Sequence, residues 1–244
     1  MQSYIEKRIK QNPYNSEILP NSTPVICFGD LFNSKIATLG LNPSNKEFVD
    51  NNNSFLAGSF LRFQNCFSLS QHDLTKLDNT QTDLVLNYCI DYFKINPYRD
   101  WFDVLENYIL KKINVSYYTK TCCHLDLVQW ATSNKWRDVS ISNQYALLNN
   151  DYPFLIQQLN NQDIETLLIN GKGVFDIINS KEKIYILKDE TIYVKSETCR
   201  MIKFYIKIGT KIINCFAWSK NLQSTIGLTN NMRNSIGDWI LNNK

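Results

Sequence analysis

Glycine is scarce in this sequence, histidine nearly absent, and neither sign of charge dominates. There are eight glycines in 244 residues. The turn Asn170-Gly171-Lys172-Gly173 lacks the full Gly-x4-Gly-Lys-Ser/Thr pattern, so it is not a P-loop. The two histidines, His72 and His124, lie far apart, and the seven cysteines are odd in number, include no Cys-x-x-Cys and place Cys122 beside Cys123. Those spacings argue against a zinc or iron–sulfur cage and against a disulfide framework, so neither a metal nor a cofactor is expected. No apolar run is long enough to cross a membrane, and the opening MQSYIEKRIKQN is too polar for a secretory segment. A reducing cytoplasm is the expected location. The net charge of +3 permits a nucleic-acid partner without demanding one.

What is present is a core-forming chain, 43% hydrophobic and 13% aromatic. A short amphipathic helix is expected over residues 2–11 and an irregular arm from Pro13 to Pro24. Pro24–Phe28 and Ile36–Leu41 read as strands, the second apolar enough to be buried on both faces. Residues 44–80 read as loops and short helices, and Thr82–Phe93 as a helix. A further helix starts near Pro97. Thr121–Val128 is strand-like. Ser140–Leu159 is helical, with Pro153 expected to break or restart it. After strand Glu165–Asn170, a helix follows from Gly173. Lys183–Leu187, Ile192–Lys195, Met201–Ile208 and Lys211–Ala217 read as strands, the last two as a hairpin across Gly209-Thr210, and Asn230–Leu241 closes the chain as a helix. The expected fold is α/β: residues 1–24 as helix and arm, then residues 25–244 as one three-layer α/β/α domain with a central, mostly parallel sheet and a partly antiparallel edge.

Four places could carry chemistry. In Gly40-Leu41-Asn42-Pro43-Ser44 a buried strand ends in a polar amide locked by proline, where open α/β sheets place their ligands. Asn42 could hold a water against an electrophilic sugar carbon; alternatively the segment is only an Asn-Pro turn. In His124-Leu125-Asp126, Asp126 can read a ligand, act as general base, cap a helix or pair with Arg137. His124 is either a site residue or a buried, hydrogen-bonded core histidine. The third is Phe216-Ala217-Trp218-Ser219-Lys220-Asn221-Leu222-Gln223-Ser224, after a strand. The fourth is Asn170 and Lys172 at a helix start, where backbone N–H groups suit a phosphate, or where the chain merely turns. Phe55 and Phe63, downstream of Asn42, are candidates for stacking or for the core.

The stretch ATLGLNPSN resembles the first motif of the uracil-DNA glycosylase superfamily, especially the Gly-x-Asn-Pro form of its mismatch-specific and single-strand-selective branches. The resemblance covers residues 36–63, 117–130, 166–175 and 212–224. It implies an enzyme that flips a base from DNA and hydrolyses its N-glycosidic bond. Asn42 would position the water, with Leu41, Pro43, His124 and one of Phe55 or Phe63 around the base. It further implies that Ser44, Asn170, Lys172, Ser219, Lys220 and Asn221 contact DNA and that Leu222 is the wedge filling the gap in the duplex. Three departures matter. The Asp of the fastest branch is missing from the loop, and Ala217-Trp218 stands where that superfamily often has His-Pro. Asp126, at a position where uracil readers typically use Asn, only accepts hydrogen bonds when ionised, which suits the amino group of a cytosine-type base.

The expectation is therefore a monofunctional DNA glycosylase acting as a monomer without metal or cofactor, on uracil-like or, by Asp126, modified cytosine bases. Some members of that superfamily remove hypermodified cytosines from phage DNA in bacterial defence. The rivals are a non-catalytic module of the same fold that senses a base, and an enzyme of free nucleosides or nucleotides.

Overall fold

In the computed structural model, which describes residues 2–223 and 228–244, the apolar run Ile36–Gly40 forms strand β1 with every residue buried. The remaining strands are β2 (Cys122–Asp126), β3 (Thr166–Asn170), β4 (Tyr185–Val194), β5 (Glu197–Ile208) and β6 (Lys211–Trp218). The described residues form one six-stranded sheet in the order β2-β1-β3-β6-β5-β4. β1, β3 and β6 are parallel neighbours, while β6, β5 and β4 are antiparallel. The helices are α1 (Ser3–Ile9), α2 (Asn79–Ile90), α3 (Tyr92–Ile95), α4 (Arg99–Leu105), α5 (Ile141–Asn161), α6 (Lys172–Lys181) and α7 (Asn230–Asn243). The fold is α/β, with a mixed sheet.

The chain divides into two compact units, each drawn from three separate stretches. The first holds residues 1–31, 41–97 and 125–158; the second holds 32–40, 98–124 and 159–244. In the first unit, α1 is held by a buried ion pair from Arg8 to Asp151 at 2.8 Å, and Asp151 also accepts from the Tyr14 hydroxyl and the Gln129 N–H. A buried carboxylate survives because its lone pairs are filled by charge and hydrogen bonds together. α2 begins at a capping box, with Asp78 and Gln81 exchanging side chain-to-backbone bonds, three residues before the apolar spacing alone suggests.

In the second unit, neighbouring residues on β5 point to opposite faces of the sheet. Phe204 meets Phe175 of α6, whereas Lys203 reaches the last turn of α7 and its ladder partner Phe216 meets Trp239 of α7. Helices therefore cover both faces of this part of the sheet. The hairpin turns at Gly209, whose φ of +61° strains any side chain.

Three expectations are corrected. Pro24–Phe28 is buried but is not a strand: Val25 N–H donates to Gln129, and the Ile26 carbonyl accepts from the Gln158 side chain, so no neighbouring strand is needed. Pro153 lies inside α5 without ending it; a proline removes one backbone donor, and the rest of the 21-residue helix persists. The stretch 183–195 holds one strand, β4 (Tyr185–Val194), not two. The polar middle, Lys188 to Thr191, stays in the ladder because β4 is an edge strand, and a bulge between Ile186 and Lys188 absorbs the irregularity.

Candidate functional site

The loop that leaves β1 lies in the first unit. The Leu41 carbonyl accepts from Val128 N–H at 2.9 Å, which sets this loop beside the segment that follows β2. The Asn42 amide nitrogen then donates to the carbonyls of Pro43 (3.0 Å) and Trp130 (3.4 Å) and to the Thr132 hydroxyl (3.1 Å). Carbonyls only accept, and Thr132 spends its own proton on the Asn134 carbonyl, so this end of the amide must be the nitrogen. The Asn42 oxygen points the other way and accepts no hydrogen bond among the described residues. Pro43 is buried and stiffens the turn, while exposed Ser44 caps the short turn Asn45–Glu47 by accepting from Lys46 N–H.

Asp126 ends β2 and is buried; its main-chain carbonyl accepts from the Gln129 side chain. The structure adds a second buried carboxyl that the sequence reading missed. Glu47, five residues after Asn42, is enclosed and accepts from the Tyr92 hydroxyl at 2.7 Å. Burial pushes its carboxyl up to about 7, opposed by the Tyr92 hydrogen bond and the Arg62 charge and reinforced by the Asp126 charge. Nothing in the local string Asn-Lys-Glu-Phe distinguishes this residue from a surface glutamate.

Glu47 gives a pH prediction. Its folded value lies above the ordinary 4.5, so its stabilising contribution is complete below about 4.5 and is lost as pH rises through about 7. From pH 4.5 to 8 the wild type should lose on the order of 3 kcal/mol relative to Glu47→Gln. Urea midpoints across that range check it, and parallel pH curves for the two proteins would refute it.

The two aromatic candidates separate. Phe63 is 2% exposed and stacks on Tyr92 (5.0 Å, 16°) beside Phe28 and Phe48, so it is core and is not presented for stacking. Phe55 is half-buried and meets the exposed Phe67 edge-on at 5.1 Å. Of the two, only Phe55 is accessible to a flat ligand.

In the second unit, His124 is a core residue. Its Nδ1 bonds Thr38 at 2.7 Å, Thr38 bonds the Tyr117 hydroxyl at 2.6 Å, and the rings of Trp101 and Phe102 meet the imidazole edge-on. A histidine so enclosed supports the sheet and is not offered to a base. Asn170 is likewise turned inward. Its oxygen accepts from Trp218 Nε1 (3.0 Å) and Leu222 N–H (3.1 Å), and its nitrogen donates to Gln223. It braces the loop after β6 and leaves little for a phosphate. Leu222 is fully buried, so the wedge expected there is held inside in this conformation. Asn170→Ala should cost about 2 kcal/mol, because it strands two buried donors; a denaturant midpoint checks it, and an unchanged midpoint would show that the brace carries no load.

Lys172 and Ser219 line one small cleft with Phe175, Arg200, Ile202 and Trp218. Lys172 is exposed and paired with Asp176; Ser219 exchanges hydrogen bonds with Arg200. Gly171, at φ +99°, turns the chain into α6 against Asn221. Asn221 is exposed, and Lys220 makes no ion pair among the described residues. Ser224, the end of that sequence constellation, lies outside the described residues.

Among the described residues, no group of three or more His, Cys, Asp or Glu is placed to hold a metal, and no helix is long and apolar enough to cross a membrane. The seven cysteines are buried and unbridged. No family model matches this sequence, and no curated protein matches it.

Proposed function

We propose that the protein is a monofunctional DNA glycosylase of the uracil-DNA glycosylase type, acting on an amino-bearing, cytosine-type base. The observation that carries this reading is the anchored Asn42 amide, with its nitrogen consumed by carbonyls and its oxygen unclaimed. A water that donates to that oxygen turns a lone pair outward, toward C1′ of an extruded nucleotide. The water oxygen bonds to C1′, the C1′–N bond breaks, and the base leaves with the electron pair. The water's proton passes to a carboxylate or to solvent. Asp126, buried where β2 ends, supplies an acceptor for an exocyclic amino group or serves as that base. No metal or cofactor enters the reaction, and the protein acts as a monomer on DNA. Removal of modified cytosines from foreign DNA is the biological role that fits such a substrate.

The test is formation of alkali-labile sites in DNAs carrying uracil, mismatched thymine or modified cytosines, by wild type and Asn42→Ala. Cleavage of a cytosine-type strand that depends on Asn42 supports the proposal; no abasic product from any strand overturns it. One observation favours a second reading. Trp218 at the end of β6 and Leu222 in the loop after it are buried, and His-Pro is absent there, which suits a module that binds a base without cutting it. Tight, salt-dependent binding without product would select that reading.

A further inference from the structure

The modest charge of the whole chain hides an uneven distribution. Residues 181–211 carry eight Lys or Arg against four Asp or Glu, an excess of four, where the entire chain has an excess of three. Two of those acids are already matched, Asp189 to Arg200 and Glu190 to Lys188. Lys183 and Lys207 have no ion pair among the described residues. Both instead sit over the ring of Tyr185, at 5.2 and 5.3 Å from its centre.

Tyr185 and Tyr205 are directly paired across β4 and β5, and their rings are parallel, 3° apart in plane and 4.6 Å between centres. That separation is close to the spacing of adjacent strands, about 4.8 Å, so each ring stands upright on its own strand. The next position of the same row, on β6, is Asn214, exposed and paired with Tyr205; Thr166 on β3 follows it. The second face of Tyr205 has no ring partner among the described residues, and Asn214, its ladder partner on the strand away from Tyr185, is exposed. α7 covers this same face further along, ending over Lys203 and Phe216, while in the row itself Tyr185 and Tyr205 are half-buried, Asn214 is exposed and Ile212 is exposed beside it.

We propose that this row is a binding platform for single-stranded nucleic acid. One base stacks on the open face of Tyr205, within reach of the Asn214 amide, and the flanking phosphates lie on Lys183 and Lys207. Flat rings standing on a sheet, rimmed by unpaired cations, suit unstacked bases joined by phosphates. A duplex keeps its base faces stacked on one another and cannot offer them to Tyr205. The platform lies where β6 begins, at the opposite end of that strand from Trp218 and Ser219, and it does not depend on the glycosylase reading.

The experiment is fluorescence anisotropy of the full chain with labelled oligothymidylate, with the matching duplex as second probe. The single strand should bind more tightly than the duplex. Tyr205→Ala should weaken it about tenfold, with Tyr205→Phe close to wild type. Lys183→Glu with Lys207→Glu should weaken it further and flatten its salt dependence. Tyr205→Leu, which keeps an apolar side chain in the ladder but removes the flat ring, repeats the alanine test should that variant fail to fold. Absence of binding, equal binding by Tyr205→Leu and wild type, or displacement by polyglutamate as effective as by unlabelled oligothymidylate would overturn the proposal. Oligothymidylate carries no amino-bearing base, and its binding is read by anisotropy while excision is read as abasic product, so a failure of base excision and a failure of this platform are read separately.

Discussion

Replacing Asn42 with alanine is expected to slow abasic-site formation by about 10²–10³-fold, while the unfolding midpoint moves by less than about 0.5 kcal/mol. The two effects separate because the side chain does little for the fold. Asn42 is only part-buried, and one of its donor contacts, to Trp130, is long at 3.4 Å. What alanine removes is an oriented acceptor, whose proposed role is to hold one water in one direction. Asn42→Asp is a sharper variant. A carboxylate cannot donate to the carbonyls of Pro43 and Trp130, so it must turn away from them and lose the same orientation. Single-turnover excision with a denaturant curve for each variant measures both quantities. Excision that survives both substitutions removes Asn42 from the mechanism.

The largest stability effect is expected at Gly237. A Cβ built there would lie 2.0 Å from the carbonyl oxygen of Tyr108 and 2.8 Å from Lys112. The lysine is a flexible side chain and can move; the carbonyl belongs to the widened helical turn Glu106–Leu110 and cannot rotate away. α7 must therefore separate from that turn, although Lys112 also ties the two together through Asp238. Gly237→Ala should cost on the order of 4 kcal/mol, beyond most overpacking changes because the obstacle is backbone. In a chain of this size that lowers the melting temperature by on the order of 10 °C. Gly173→Ala is the matched control: its helical position has nothing within 4 Å of the new carbon, so the substitution should be neutral or slightly stabilising. Equal melting temperatures for the two variants would show that α7 does not approach Tyr108 as described.

The strands that carry the candidate loops were legible because burial on both faces writes an unbroken apolar run. β1, β2 and β3 fall within the runs 36–41, 121–128 and 165–170. The hairpin was legible because Gly209 marks the turn. Pro24–Phe28 misled for the same reason the others succeeded: apolarity reports burial, and this segment is buried without a strand beside it. Orientation was the harder problem. Phe55 and Phe63 are equal candidates in the sequence, yet one meets solvent and the other stacks on Tyr92. Asn170 ends a buried strand and Asn42 follows one, but the first spends its amide on Trp218 and Leu222 while the second leaves its oxygen unclaimed.

By itself the sequence determined the α/β class, the order of most elements and the position of Asn42 at a proline-locked strand end, since these depend on residue periodicity and local backbone chemistry. Only the tertiary structure decided which polar groups are consumed. It withdrew His124, Phe63 and Leu222 into the interior, brought Glu47 against Tyr92 within reach of the charges of Arg62 and Asp126, and stood Tyr185 beside Tyr205. Those outcomes depend on partners far away along the chain, and a side chain's burial, charge and free face are properties of its neighbours in space.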